Sequence, residues 1–273
     1  MYKAKQSGRN KFKFYNISMD KGMIRKAEIE KELREAITNN EMKVFYQPYF
    51  SFKTGEITGM EALLRWNSPK LGYVPPYEFI AIAEDAGLMV ELGSWVLGTV
   101  CRQNMAWRAQ GLGDVFTSVN ISVMQINEAG FLETVKGIIQ ETGLPTEALG
   151  IEINESVLMG GTRYNDKSIE ALAAEGVKII LDDFGTGYSS LTYLAKMPLD
   201  SIKIDRSFIA LVTESSKTVS IIHGIVDLAH KMGLKVIAEG VATKAQYDIL
   251  KEIGCDCVQG YLTGRPMPPE DYH

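Results

Sequence analysis

The chain has 273 residues, 45% of them hydrophobic and 23% charged, with a formal net charge of −5 and a pI near 5.4. That composition belongs to an ordinary globular protein with enough apolar residues for a sizeable core, and it argues against disorder. The acidic balance argues against a general grip on polymeric nucleic acid, which needs clustered Lys and Arg. No apolar run reaches the roughly 18 residues of a membrane span, and Met1-Tyr2-Lys3-Ala4-Lys5 lacks the apolar stretch of a signal peptide, so a cytoplasmic location without membrane contact is expected.

Residues 1–16 are basic and short, closing on Phe12-Lys13-Phe14-Tyr15, an aromatic alternation that suits a strand but is too brief to fold alone. From 19 to 40 the pattern is helical, with Ile29, Leu33, Ala36 and Ile37 on one face and Glu30 and Arg34 at i,i+4, as in a lead-in helix to the domain that follows. Eight short apolar runs come next, at 43–47, 56–64, 117–122, 149–154, 177–182, 201–205, 235–239 and 255–259. Helical patterns lie between them at 77–110 (opened by Pro75-Pro76), 128–142, 165–175, 189–196, 215–232 and 243–253. Strand and helix in alternation predict a parallel sheet, and eight strands predict a closed (β/α)8 barrel of the TIM type in the α/β class. The first two runs are joined by only Pro48 to Gly55, too few residues for a crossover helix, so one of those strands is expected to run antiparallel to its neighbour. An open doubly wound sheet is the alternative, but no G-x-G-x-x-G follows any strand. The three cysteines include Cys255 and Cys257, which lack zinc-site spacing and are expected to be buried thiols.

The polar residues of these runs fall at or near their C-terminal ends: Glu61, Asn120, Glu152, Asp182, Asp183, Lys203, Glu239 and Gln259. Barrel active sites lie at that end. Any one of these residues could be a turn or capping residue, but five carboxylates on one barrel mouth repel one another by about 4 kcal/mol per pair at 4 Å and an effective dielectric near 20. One lysine cannot neutralise them, and an all-oxygen, histidine-free set points to hard divalent cations, Mg²⁺ or Mn²⁺. Within Glu152-Ile153-Asn154-Glu155, alternation puts Glu152 and Asn154 on one face and Glu155 on the other, so Glu155 suits anchoring of a neighbouring loop. The segment 182–190, DDFGTGYSS, reads as a strand-to-helix turn whose adjacent aspartates could each face a different ion.

Glu61-Ala62-Leu63 with Arg65-Trp66, the loop 182–190, Lys203-Ile204-Asp205, Glu239-Gly240-Val241 and Gln259-Gly260-Tyr261 together resemble the EAL-domain cyclic di-GMP phosphodiesterases, in the family's order and over about residues 28–269. The opening MYKAKQSGRNKFKFY resembles the C-terminal end of a GGDEF domain. The resemblance divides the chain into a remnant at 1–18 and a barrel domain at 19–273 with its lead-in helix at 19–40. It implies hydrolysis of cyclic di-GMP to linear pGpG with two divalent cations, Mg²⁺ or Mn²⁺. Glu61, Asn120, Glu152 and Asp182 would hold one cation, Asp182 and Asp183 would share in the second, and Glu239 would stand close by. Lys203 would position the attacking water and Gln259 would complete the site. Gln47, Leu63 and Arg65 would contact substrate, with Arg65 facing a phosphate, and Glu155 would steady the 182–190 loop. A homodimer and upstream GGDEF and sensory domains are further implications. Two positions depart from the family's pattern: Asn154 stands where E-I-T-E-S has threonine, and Ala242 where E-G-V-E-T has glutamate. The rival reading is a module that binds cyclic di-GMP without cutting it.

Overall fold

The computed structural model describes residues 17–155, 166–186 and 194–272. The resemblance of residues 1–16 to a GGDEF terminus therefore lies outside the described residues. The chain forms two compact units, one of Met42–Arg65 with Met89–His273 and one of the residues up to Glu41 with Trp66–Leu88.

The larger unit is a barrel. Its strands are β1 (Met42–Ser51), β2 (Ile57–Ser68, which runs past the unit's boundary), β4 (Phe116–Asn120), β5 (Leu149–Asn154), β6 (Lys178–Phe184), β7 (Ser201–Ile204), β8 (Lys235–Ala238) and β9 (Cys257–Val258). They are hydrogen-bonded in the order β1-β9-β8-β7-β6-β5-β4-β2, and a β1–β2 pairing closes the ring. β2 and β4 to β9 run parallel to their neighbours in that order, while β1 is antiparallel to β9 with Phe50 opposite Val258. The inverted strand expected near the N-terminus is thus β1, returned to β2 by a turn too short for a helix.

Strand alternation sorts the side chains into two layers. Ile151 and Ile153 of β5, Ile202 and Ile204 of β7, and Val119 of β4 are fully or almost fully buried in the apolar layer beneath the helices. Thr117 joins that layer by accepting from Asn104 Nδ2 at 2.9 Å. The alternate positions, Glu152, Lys203 and Ser118, face the barrel interior and are equally buried. No helix among the described residues is long and apolar enough to cross a membrane.

The helices are α1 (Ile17–Ala36), α2 (Pro76–Asp85), α3 (Met89–Ala109), α4 (Val123–Ile126), α5 (Phe131–Thr142), α6 (Asp166–Ala174), α7 (Arg206–Leu211), α8 (Ser216–Lys231) and α9 (Lys244–Ile253). The helix predicted over 77–110 is two, because the chain turns at Gly87 with φ 71, a left-handed conformation that a glycine adopts freely. Most of the helix predicted over 189–196 lies outside the described residues. Among the cysteines Cys101 and Cys255 are buried free thiols and Cys257 is half-buried.

In the smaller unit α1 buries Ile29, Leu33 and Ala36, and Trp66 packs edge-on to Phe79 with centroids 5.7 Å apart. A short strand that the sequence reading lacked, β3 (Gly72–Val74), pairs antiparallel with the end of β2, Trp66 opposite Val74. Arg25 to Glu78 at 3.1 Å and Lys70 to Glu32 at 2.8 Å tie its elements together, and Trp66 Nε1 donates to Glu41 at 3.0 Å.

Candidate active site

The acidic residues of β2, β5 and β6 and the one that follows β8 meet at one ammonium group on β7. Lys203 Nζ, fully buried on β7, lies 2.6 Å from Glu152 Oε2, 3.0 Å from Glu61 Oε2 and 3.4 Å from Asp182 Oδ1, and it also pairs with Glu239 Oε1. Gln259 Nε2 donates to Glu61 Oε2 at 2.8 Å, and Asn120 Nδ2 donates to Glu61 Oε1 at 2.8 Å. Glu61 is not at a strand end, as expected, but inside β2, because that strand continues to Ser68; it stands level with Ser118 of β4. Glu239 and Gln259 follow directly on β8 and β9.

Strict alternation would send Asp183 to the face opposite Asp182. The structure evades this by an irregularity: β6 pairs with β7 through Leu181 opposite Ile202 and Phe184 opposite Ile204, so three steps on one strand match two on the other. Asp183 sits at φ 56, a left-handed value that aspartate tolerates better than most residues. Its N–H donates to Asp182 Oδ1 at 2.9 Å, and its carboxylate accepts from Asn154 Nδ2. As a result Asp182, Asp183 and Glu239 bring carboxylate oxygens within 4.8 Å of one another.

The charges do not balance. Burial raises the Glu152 carboxyl to about 7, and neighbouring Glu61 adds to the rise. Burial likewise pushes Glu239 well above the ordinary carboxylate range, and burial followed by the charge of Asp182 raises Asp183. For Glu61 the same burial acts upward, but Lys203 and the donors Gln259 and Asn120 outweigh it and hold the carboxyl below its ordinary value. Burial alone would lower Lys203, yet the surrounding carboxylates, Asp182 foremost, keep it charged far above its usual range. One cation thus serves a group of carboxylates that ionise together only at a cost. An all-oxygen donor set with excess negative charge is what hard divalent cations require, and Asp182, Asp183 and Glu239 are the group whose oxygens converge closely enough to hold one, with Glu61 and Glu152 beside them on Lys203 and Asn120 on Glu61.

Other predicted residues stand apart from this network. Gln47 Nε2 donates to the Gly264 carbonyl at 2.9 Å. Arg65 is half-buried, with Nη1 on the Leu64 carbonyl at 2.9 Å and its guanidinium 5.6 Å from the Phe45 ring centroid. Leu63, also half-buried, shares the strand face of Glu61. Glu155 Oε2 accepts from the Gly185 N–H at 2.8 Å, where Gly185 turns at φ 98. Ala242 is exposed, and its N–H donates to Gln246 Oε1 at 2.9 Å at the start of α9.

Two residues absent from the sequence reading touch the cluster from beneath. Tyr49 of β1 and Ser118 of β4 both donate to Glu152 Oε1, the tyrosine at 2.5 Å. Their signal was parity: Tyr49 is two residues from Gln47, and Ser118 two from Asn120, so each shares the inward face of a residue already singled out.

Fold and site together define a (β/α)8 barrel with one inverted strand and an acidic mouth towards the C-terminal ends of its parallel strands. The chain belongs to the EAL domain family, whose model matches residues 30–266. It is 40% identical over 270 residues to the bifunctional diguanylate cyclase/cyclic di-GMP phosphodiesterase MucR of Pseudomonas aeruginosa, covering 99% of this chain and 39% of that protein. It is 36% identical to the cyclic di-GMP phosphodiesterase PdeR of Escherichia coli, covering 98% of this chain and 40% of that protein. The chain therefore spans well under half the length of these relatives. A solved structure of the PaMucR phosphodiesterase in complex with c-di-GMP is similar with a TM-score of 0.85 and 40% identity, over 89% of this chain and 99% of that one.

Proposed function

We propose that this chain hydrolyses cyclic di-GMP to linear pGpG with two divalent cations, Mg²⁺ or Mn²⁺, held at the barrel mouth. The observation that carries the reading is the carboxylate group around Lys203, with Asn120 and Gln259 already oriented on Glu61. Close relatives named as cyclic di-GMP phosphodiesterases support the choice of substrate.

Divalent cations at Glu61, Asn120, Glu152, Asp182, Asp183 and Glu239 would supply charge stabilisation to a phosphodiester and a water of lowered pKa. The chain's own residues do the rest. Lys203 keeps its proton and offers N–H donors to an attacking oxygen; Gln259 holds Glu61 in orientation. Arg65 supplies a fixed positive charge for the second phosphate, and Gln47 and Leu63 border the nucleotide. In the step itself the water oxygen bonds to phosphorus as the P–O3′ bond breaks; the hydroxyl stays on the new 5′ phosphate and the proton ends on the 3′ oxygen. Glu155 steadies the 182–186 turn through Gly185. Operation as a homodimer, in the cytoplasm, within a longer signalling protein that carries GGDEF and sensory domains upstream, belongs to the same proposal; the greater length of the relatives supports the last part.

The test is to incubate the purified chain with cyclic di-GMP and Mg²⁺, Mn²⁺ or EDTA and to follow pGpG by chromatography. Metal-dependent pGpG is the expected result. Nucleotide binding without product would instead make the chain a cyclic di-GMP receptor.

A further inference from the structure

We infer that Tyr49 and Ser118 are positioning residues for metal binding: together they occupy one oxygen of Glu152 so that only the other is presented to a cation. The inference rests on the metal-dependent reading above.

A carboxylate has two oxygens and about four lone-pair sites, so a buried glutamate can face a cation in several ways, with either oxygen or with both. In this barrel the choice is made from below. Glu152 Oε1 receives the Tyr49 hydroxyl at 2.5 Å and the Ser118 hydroxyl beside it, while Oε2 is 2.6 Å from Lys203 Nζ on the side of the other carboxylates. The phenol and the serine hydroxyl are 2.8 Å apart, and Ser118 Oγ is also 3.3 Å from the Met60 carbonyl. A phenol is protonated at neutral pH and donates. With its sites taken by two hydroxyls, Oε1 is unavailable, and Glu152 can ligate through Oε2 alone.

The two hydroxyls are themselves enclosed. Both residues have no exposed surface. The Tyr49 ring stacks on Phe116, centroids 5.8 Å apart and planes 24° from parallel, and Lys203 Nζ lies 5.8 Å from the Tyr49 centroid. They come from β1 and β4 while Glu152 is on β5, so three strands converge on one carboxylate oxygen. Gln47 and Tyr49 share one face of β1, the inverted strand. Outer groups that orient a ligand typically change metal affinity or activity by about 10- to 100-fold when removed.

The experiment compares Mn²⁺ affinity, by electron paramagnetic resonance on the folded protein, in the unmodified chain, Tyr49→Phe and Ser118→Ala, with nucleotide KM and kcat measured at rising Mn²⁺. Tyr49→Phe keeps the ring and its stacking and removes only the hydroxyl. The expected result is an affinity about 10-fold weaker in each variant, with kcat restored by saturating Mn²⁺ and nucleotide KM unchanged. A folded variant of either kind with wild-type Mn²⁺ affinity overturns the inference, and so does failure of both variants to fold at saturating Mn²⁺, which would make the hydroxyls packing elements. Absence of pGpG from the unmodified chain would remove the phosphodiesterase reading alone and leave the Mn²⁺ comparison standing.

Discussion

The two ends of the barrel treat their acidic residues in opposite ways. At the N-terminal end two aspartates each have partners of their own. Asp200, just before β7, accepts from the Ile179 N–H at 2.8 Å while its own N–H donates to the Ile179 carbonyl at 2.8 Å. Asp256, just before β9, repeats the device on Val236, with 2.8 Å to the N–H and 3.0 Å to the carbonyl, and adds His230 Nε2 at 2.9 Å. Each aspartate thereby clamps the start of its strand to the neighbouring strand. At the C-terminal end Glu61, Glu152, Asp182 and Glu239 share the single ammonium of Lys203. One end spends its acids on strand register, and the other leaves its acids under-neutralised, which is the condition for taking up cations.

Replacing the shared ammonium should have the largest effect. In Lys203→Met, buried carboxylates lose the ammonium they share, and breaking a buried charge group in this way destabilises by about 3–5 kcal/mol. Denaturant melts in EDTA should show that loss, and Mn²⁺ should recover much of it because the carboxylates proposed to bind it remain. Turnover at saturating Mn²⁺ should stay at least ~10²-fold below wild type, the scale of a lost proton-handling group. Normal turnover would remove Lys203 from the reaction.

The pH dependence sharpens the same contrast. Glu152 titrates at about 7 in the folded, metal-free chain against an ordinary 4.5. Its folded value is raised, so between those two pH values the unfolded chain has released a proton that the folded chain still holds, and stability falls as pH rises through that window. The expected loss is on the order of a few kcal/mol for a shift of this size. Mn²⁺ requires the ionised carboxylate, so its affinity should climb over the same window and its stabilising effect should be greatest near neutral pH. Metal-free melts that are flat across that window would contradict the buried-carboxylate account.

The smallest effect is expected at the opposite end. Asp256→Ala should lose about 1–2 kcal/mol of stability from the missing charged hydrogen bonds, with Mn²⁺ affinity and kcat of the folded protein unchanged. A change in metal affinity would show that the two ends are not independent.

Much of this was legible in the sequence. The apolar runs marked the eight strands of the barrel, and the eight-residue link between the first two of them pointed to an inverted strand. Acidic residues on those runs identified the mouth. What escaped has physical reasons. β3 is only Gly72–Val74, too short to show alternation. Tyr49 and Ser118 look like core residues, since a buried hydroxyl donor differs from a buried apolar side chain only in the partner it meets. Asp200 and Asp256 look like ordinary pre-strand aspartates until the neighbouring strand supplies the N–H.

The irregularity of β6 has a consequence for reading motifs. Asp182 and Asp183 face one site because a single residue departs from the pleat, at φ 56. Chemical identity supplies the two carboxylates, but main-chain geometry decides whether they cooperate. A relative could retain both aspartates letter for letter and, with one residue gained or lost earlier in the strand, aim them at opposite sides of the wall. The adjacency of the letters therefore supplies the paired carboxylates, and the kink in the wall is what brings them to one side.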